Sequence, residues 1–146
     1  MSSMKTVKVT AEGPDGWVVT THSGKHVSIV DQPEAMGGTD SGPTSLDYIF
    51  VALGSCLITV AKIVAGQQKI DLRGVEVEVS GDLNLDVLRG QEKNERAGFP
   101  SITVAVNIDA DLTKEEKEAF MEEVDKRCPA SDNLMNLTEV NLHIAD

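Results

Sequence analysis

Aromatic and positively charged residues are scarce in this chain of 146 residues. One Trp, one Tyr and three Phe make up 3% of the sequence, which is too few for a platform on which nucleic-acid bases stack. Thirteen Lys and Arg stand against 24 Asp and Glu, so the formal net charge is −11 with His neutral. Because nucleic acids and anionic membranes attract basic surfaces, this charge argues against both as partners.

The sequence has only two cysteines, Cys56 and Cys128, and its first residues contain no apolar stretch like that of a secretory signal. We therefore expect a cytoplasmic protein. Two cysteines are too few for a disulfide scaffold, so in a reducing compartment they are either buried core residues or redox groups. No repeat or linker divides the chain, which predicts a single domain over residues 1–146.

One long apolar run stands out, from Ile49 to Ala65. Its length, the polar residues within it and Lys62 near its end favour a helix buried all round in a protein core over a membrane span. The helix is expected to begin at Thr44 or Ser45. Asp47 would then lie in the first turn, where a carboxylate meets free backbone N–H groups.

Elsewhere the residue pattern predicts strands, with one further helical region. The fold class expected from this order is α+β, with a mainly antiparallel sheet around the long central helix. Strands are predicted at residues 6–11, 17–22, 26–30, 75–79, 102–108 and 138–144. A helix is predicted to begin at Thr113, to be interrupted at Cys128-Pro129 and to continue through Leu137.

No motif for a cofactor or metal is recognisable. The segment Gly37–Gly42 lacks the Gly-Lys-Ser/Thr of a phosphate loop. His22, His26 and the two cysteines are ligand types that zinc accepts, but they lack the short spacings of zinc sites. We therefore expect no cofactor and no metal.

The two cysteines differ in their local surroundings. Helical periodicity places Cys56 on the apolar side of the long helix, the position of a core thiol. Cys128 is predicted to be the N-cap of a short helix with Pro129 in its first position, and Lys126 and Arg127 precede it. Free N–H groups and nearby positive charge favour a thiolate, so this reasoning makes Cys128 the readier nucleophile.

The residues 37–56, GGTDSGPTSLDYIFVALGSC, followed by RCPASDNL at 127–134, resemble the OsmC/Ohr family of osmotically induced and organic-hydroperoxide-resistance proteins. The resemblance covers nearly the whole chain, and it is closest to the broad OsmC-like branch. It implies an intertwined homodimer with its sites at the subunit interface.

The resemblance also implies an activity: a thiol peroxidase that acts on organic hydroperoxides or hydrogen peroxide in oxidative-stress defence. Cys56 would attack the peroxide, Cys128 would resolve the sulfenic acid, and an external dithiol would reduce the disulfide. The helix-terminus argument instead favours Cys128 as the attacking sulfur, so the two lines of reasoning disagree.

The sequence departs from the family in one respect. Peroxidases of this family resemble one another in having an N-terminal arginine that is paired with an acidic residue before the helix. This arginine holds the cysteine as a thiolate. Here no Arg precedes Arg73. The positive charge could come from Lys25, His22 or His26, or from the partner subunit. Asp47 is the nearest match to the acidic position, although helix capping explains it as well. The alternative is a non-catalytic OsmC-like protein that binds a small apolar molecule or senses redox state.

Overall fold

The computed structural model describes residues 2–145 and has the predicted α+β architecture, with antiparallel sheets and one long helix. The chain forms two compact units, of which the first ends at Ile49 and the second begins at Phe50. The strands are β1 Thr10–Glu12, β2 Val19–Ser23, β3 His26–Val30, β4 Gly74–Ser80 and β5 Thr103–Asp109, and the helices are α1 Ser45–Gln68, α2 Leu85–Leu88, α3 Lys114–Arg127 and α4 Pro129–Met135.

The first unit contains the predicted three-stranded antiparallel meander in the order β1-β2-β3. Its first strand is shorter than predicted, because Thr10 already pairs with His22 and β2 ends at Ser23. In this register residues 6–8 extend past the end of β2, and the paired part of β1 begins only at Thr10. The turn between β2 and β3 is tight, with Gly24 at a φ of 58°.

The loop from β3 to α1 is organised by a buried carboxylate, Asp31, whose role was not predicted from the sequence. Asp31 accepts hydrogen bonds from the amide N–H of Gln32 at 2.7 Å, and from the amides and hydroxyls of Thr39 and Ser41 at 2.6–3.1 Å. These donors hold the pKa of Asp31 well below its usual range. Gly38 allows the close approach that closes this loop, because a Cβ there would collide with the carbonyl oxygen of Gln32.

Helix α1 begins where the sequence predicts, after Thr44, and runs three residues beyond Ala65. It is long and apolar enough to span a membrane by length and composition, and a third of its most apolar stretch is buried within the chain. The expectation of a helix buried all round is therefore wrong for the isolated chain. Ile49, Val51 and Ile63 are between 39% and 55% exposed.

The core of the second unit lies between α1, the β4–β5 hairpin and α3. The inward-facing valines of the two strands pack on it, while Glu76 and Glu78 on β4 point outward, which is the predicted period-two pattern. The Thr113 capping box at the start of α3 is also as predicted. The buried core residues are Leu53, Leu57, Val60, Ala61, Val64, Ala65, Ile108, Ala110, Phe120, Val124 and Cys128.

The predicted C-terminal strand is wrong for the isolated chain. Residues 138–144 have no regular secondary structure, because within residues 2–145 no strand is paired with them. Val140, Leu142 and Ile144 alternate with polar residues but are each more than 80% exposed. The sequence reading also missed the single-turn helix α2, which Asn84 caps.

Candidate active site

The fold brings together the two cysteines, which are far apart in the sequence. Cys56 lies in the middle of α1, partly exposed, and packs against the buried core. Cys128 lies between α3 and α4 and is fully buried. Both thiols belong to the same core cluster, and Cys56 is close enough to raise the pKa of the Cys128 thiol.

Cys128 occupies the predicted position at the start of the last helix. It is the N-cap of α4, with Pro129 in the first turn, and its sulfur accepts a hydrogen bond from the amide N–H of Ser131 at 3.5 Å. Proline fits this place because it has no N–H to leave unpaired and its φ is already helical. The backbone N–H of Ala130 also donates toward the sulfur.

The expectation that Cys128 is the readier thiolate is wrong. Burial raises the pKa of the Cys128 thiol, and the nearby Cys56 raises it further, while the amide hydrogen bonds from Ser131 and Ala130 act in the opposite direction without reversing the shift. The preceding arginine is engaged elsewhere: Arg127 donates to Gln67 at 2.9 Å and lies 3.7 Å from the carboxylate of Glu123. Desolvation therefore outweighs the helix-terminus effect at this sulfur.

A serine and an aspartate complete the surroundings of Cys128, and the sequence reading missed both. The Ser131 side chain is buried, and its hydroxyl donates to the Asp125 carboxylate at 2.5 Å. The same serine supplies the amide that faces Cys128. The signal available in the sequence was the serine three residues after an N-cap, where the backbone N–H points back at the cap.

The three cationic candidates lie around the β2–β3 turn of the first unit. His22 and His26 lie near the two ends of that turn and Lys25 lies within it, and all three are exposed. The His22 ring nitrogen is 3.6 Å from the Glu12 carboxylate, so a protonated His22 would form an ion pair across β1 and β2.

Asp47 has a capping role at the start of α1. Its carboxylate accepts hydrogen bonds from the amide and the hydroxyl of Thr44, both at 2.9 Å, and its own amide donates to the Thr44 hydroxyl at 3.2 Å. This reciprocal arrangement satisfies N–H groups that a helix start leaves free.

Arg73, the first arginine in the chain, is held by acidic neighbours. Its guanidinium donates to Asp109 and Asp111, each at 3.0 Å. Those two carboxylates raise the pKa of Arg73 further above its already high value, so it stays charged and paired. Among residues 2–145, no group of three His, Cys, Asp or Glu side chains is placed to hold a metal ion.

Comparison with known proteins identifies the fold. The OsmC-like protein family matches residues 38–143, and no curated protein matches the sequence significantly. An OsmC-like protein from Mycoplasma pneumoniae superposes with a TM-score of 0.78 at 21% identity, covering 91% of this chain and 89% of that one.

Two organic hydroperoxide resistance proteins have the same fold. The one from Legionella pneumophila has a TM-score of 0.63 at 20% identity and covers 91% of each chain. The one from Elizabethkingia anophelis has a TM-score of 0.67 at 22% identity, covering 90% of this chain and 89% of that one. With the family match over residues 38–143, this chain belongs to the OsmC-like protein family.

Proposed function

We propose that the protein is a thiol-dependent peroxidase that reduces organic hydroperoxides or hydrogen peroxide through Cys56 and Cys128. The observation that carries the proposal is the approach of these two distant thiols to each other at the edge of the core. The fold shared with organic hydroperoxide resistance proteins supports the same substrate class.

The reaction has three balanced steps. The Cys56 thiolate attacks one oxygen of the O–O bond, which breaks; the cysteine becomes a sulfenic acid and the second oxygen leaves as alkoxide or hydroxide. The Cys128 sulfur then attacks the sulfenic sulfur, the S–O bond breaks, and the oxygen leaves as water with the thiol proton. An external dithiol reduces the resulting disulfide and is itself oxidised to a disulfide.

Access and electrostatics both support Cys56 as the attacking sulfur. Cys56 is partly exposed, whereas Cys128 is fully buried and its pKa is raised. A peroxide can reach the first sulfur, and the second needs to reach only its neighbour. In this arrangement Cys128 is suited to resolution, the role that follows attack.

We further propose that the protein acts as a cytoplasmic homodimer. The apolar side chains exposed on α1 and along residues 137–144 support this, because soluble chains rarely leave such surface uncovered. The β4–β5 sheet supports it as well, since within residues 2–145 each of its two strands has an edge that pairs with no other strand and could pair with a second chain.

Single-turnover chemistry tests the peroxidase proposal. One equivalent of cumene hydroperoxide should consume both thiols of the intact protein and form a disulfide within one chain. The Cys56→Ser variant should consume no peroxide, whereas Cys128→Ser should leave a sulfenic acid that dimedone traps. Dimedone labelling of Cys128 in the Cys56→Ser variant would reverse the proposed roles.

The source of the activating cation is tested in the same assay. We propose that Lys25, His22 or His26 replaces the missing N-terminal arginine, since all three are exposed cations or potential cations on one turn. Peroxide consumption should then fall in at least one of Lys25→Met, His22→Gln and His26→Gln, while Lys62→Met serves as the matched control.

Unchanged thiols after peroxide treatment would instead support the alternative, a non-catalytic protein that binds a small molecule or senses redox state.

A further inference from the structure

The surface carboxylate of Asp125 is joined to the buried sulfur of Cys128 by a short chain of contacts. The Ser131 hydroxyl donates to Asp125 at 2.5 Å, and the Ser131 amide donates to the Cys128 sulfur at 3.5 Å. Asp125 lies in the last turn of α3 and Ser131 in the first turn of α4. One residue, Ser131, thus connects the two helices and also faces the thiol.

We propose that Asp125 is a positioning residue for Cys128: by accepting the Ser131 hydroxyl proton, it holds the Ser131 amide on the sulfur that resolves the Cys56 sulfenic acid. The inference rests on the proposed peroxidase function and adds two residues to its site. Both residues are assigned an action through Cys128 alone, by way of the contacts that join them to its sulfur.

Two features make the hydrogen bond to Asp125 important for the position of Ser131. The serine is 8% exposed, so its hydroxyl has little access to water as a substitute acceptor. The polypeptide also turns at Cys128, whose ψ of 112° is extended rather than helical. Because the helix is interrupted there, the hydrogen bond from Ser131 to Asp125 is a side-chain link across the turn that helps fix the direction of α4.

The chemistry of resolution explains why the placement matters. Cys128 attacks the sulfenic sulfur of Cys56 as a thiolate, so its sulfur carries a negative charge before the S–S bond forms, and the thiol proton leaves with the departing oxygen as water. An N–H group held on that sulfur stabilises the charge. Burial and the neighbouring Cys56 act against that charge, so the amide contact from Ser131 is a favourable interaction on which the step depends.

Thiol titration tests the proposal without peroxide. In a Cys56→Ser background, the absorbance change near 240 nm follows ionisation of Cys128 once the change in the Cys56→Ser/Cys128→Ser variant, which retains Tyr48, is subtracted. Asp125→Ala and Ser131→Ala should move this titration to higher pH, whereas Asp125→Asn, which keeps an oxygen acceptor for the hydroxyl, should leave it in place. Glu122→Ala, another exposed carboxylate on α3, is the matched control.

The kinetic consequence is measured with both cysteines present. After one equivalent of cumene hydroperoxide, disulfide formation in Asp125→Ala should slow by roughly tenfold, the usual scale for a hydrogen bond to a charged group, with a matching rise in dimedone adduct. Circular dichroism checks that each variant is folded. If Asp125→Ala is unfolded, the rate of disulfide formation in Ser131→Ala tests the proposal instead.

The proposal is overturned if folded Ser131→Ala and Asp125→Ala variants titrate like the parent, or if Asp125→Asn shifts as far as Asp125→Ala. These outcomes do not depend on peroxide, so they are separate from failure of the peroxidase proposal, in which the wild-type thiols would survive hydroperoxide treatment.

Discussion

At the scale of single residues, the fold stabilises the charged form of one buried ionisable group and the neutral form of another. Asp31 receives five hydrogen bonds from amides and hydroxyls, and these stabilise its charged form. At Cys128 burial, together with the neighbouring Cys56 thiol, outweighs the amide contacts, so its neutral form is favoured. Hydrogen-bond donors outweigh burial at Asp31, whereas burial outweighs the donors at Cys128, and this balance determines which protonation state the fold stabilises.

Asp31→Asn should destabilise the protein and lower its Tm by several degrees, because an amide cannot accept from all five donors and brings two donors of its own. The folded pKa of Asp31 is lowered, so its stabilising effect is complete above the unfolded value of about 3.9 and is lost as pH falls through the folded value. Thermal unfolding measured from about pH 7 to pH 2 should show a steeper acid loss for the wild type than for the variant.

The control for Asp31 is Asp40→Asn, an exposed carboxylate in the same loop whose left-handed backbone, with a φ of 52°, suits asparagine. It should unfold like the wild type. A Tm for Asp31→Asn equal to that of the control would contradict the organising role given to the buried carboxylate.

Cys128 should contribute stability with the opposite dependence on pH. Its folded pKa is raised above the ordinary thiol value of about 8.5, so the folded state holds the proton more tightly than the unfolded chain does. This stabilisation is complete below the unfolded value and is lost as pH rises through the higher folded value. Urea unfolding from about pH 8 to pH 10 should show a fall in stability that is smaller in Cys128→Ser.

Cys56→Ser is the informative comparison for that measurement. Burial is the largest cause of the Cys128 shift and Cys56 is a lesser one, so removal of Cys56 should leave most of the alkaline loss in place. An identical pH profile for the wild type and Cys128→Ser would show that this thiol is not perturbed.

At the scale of helices and strands, local patterns predicted the elements that have their partners nearby. The capping box of Thr113, the Cys128-Pro129 start of α4 and the alternating strand β4 were all visible in the sequence. The approach of Cys128 to Cys56 was not visible from the residues themselves, because it depends on how α4 packs, and it entered only through the family resemblance.

The errors have the same physical origin. Residues 138–144 have the pattern of a strand, but a strand also needs a neighbour to pair with, and pairing is not encoded in alternation. Asp31 was missed because its importance comes from the loop folding back so that Thr39 and Ser41 surround it. The charge state of Cys128 was misjudged because burial cannot be read from helix position alone.

The end of α1 offers a test at this scale. Gly66 is exposed within the helix, and a Cβ there would meet no atom within 4 Å. Gly66→Ala should therefore raise the free energy of unfolding by about 0.5–1 kcal/mol, because alanine loses less backbone freedom in a helix. Gly38→Ala should lower the free energy of unfolding, since that Cβ would collide with Gln32. Urea denaturation measures the free energy of unfolding of both variants. A destabilised Gly66→Ala would contradict the open space at Gly66.

At the scale of the whole molecule, the notable property is apolar surface in a strongly acidic chain. Leu137, Val140, Leu142 and Ile144 are between 83% and 102% exposed, and Met4 at the other end is 91% exposed. A net charge of −11 keeps a chain soluble, but it does not explain why side chains of strand-like periodicity stay in water. A second copy of the chain would explain it, as the proposed homodimer requires.

The homodimer is tested by a double substitution, Val140→Glu with Leu142→Glu. In a lone chain both side chains are more than 80% exposed, so the change should hardly affect folding. In a dimer that covers them, two carboxylates would be buried without partners, and association should weaken strongly. Sedimentation velocity at micromolar concentration should give a dimer for the wild type and a monomer for the double variant. Asn141→Glu, on the opposite face of the same segment by its period of two, should remain dimeric. A wild-type monomer, or a double variant that sediments like the wild type, would show that no second copy covers these residues.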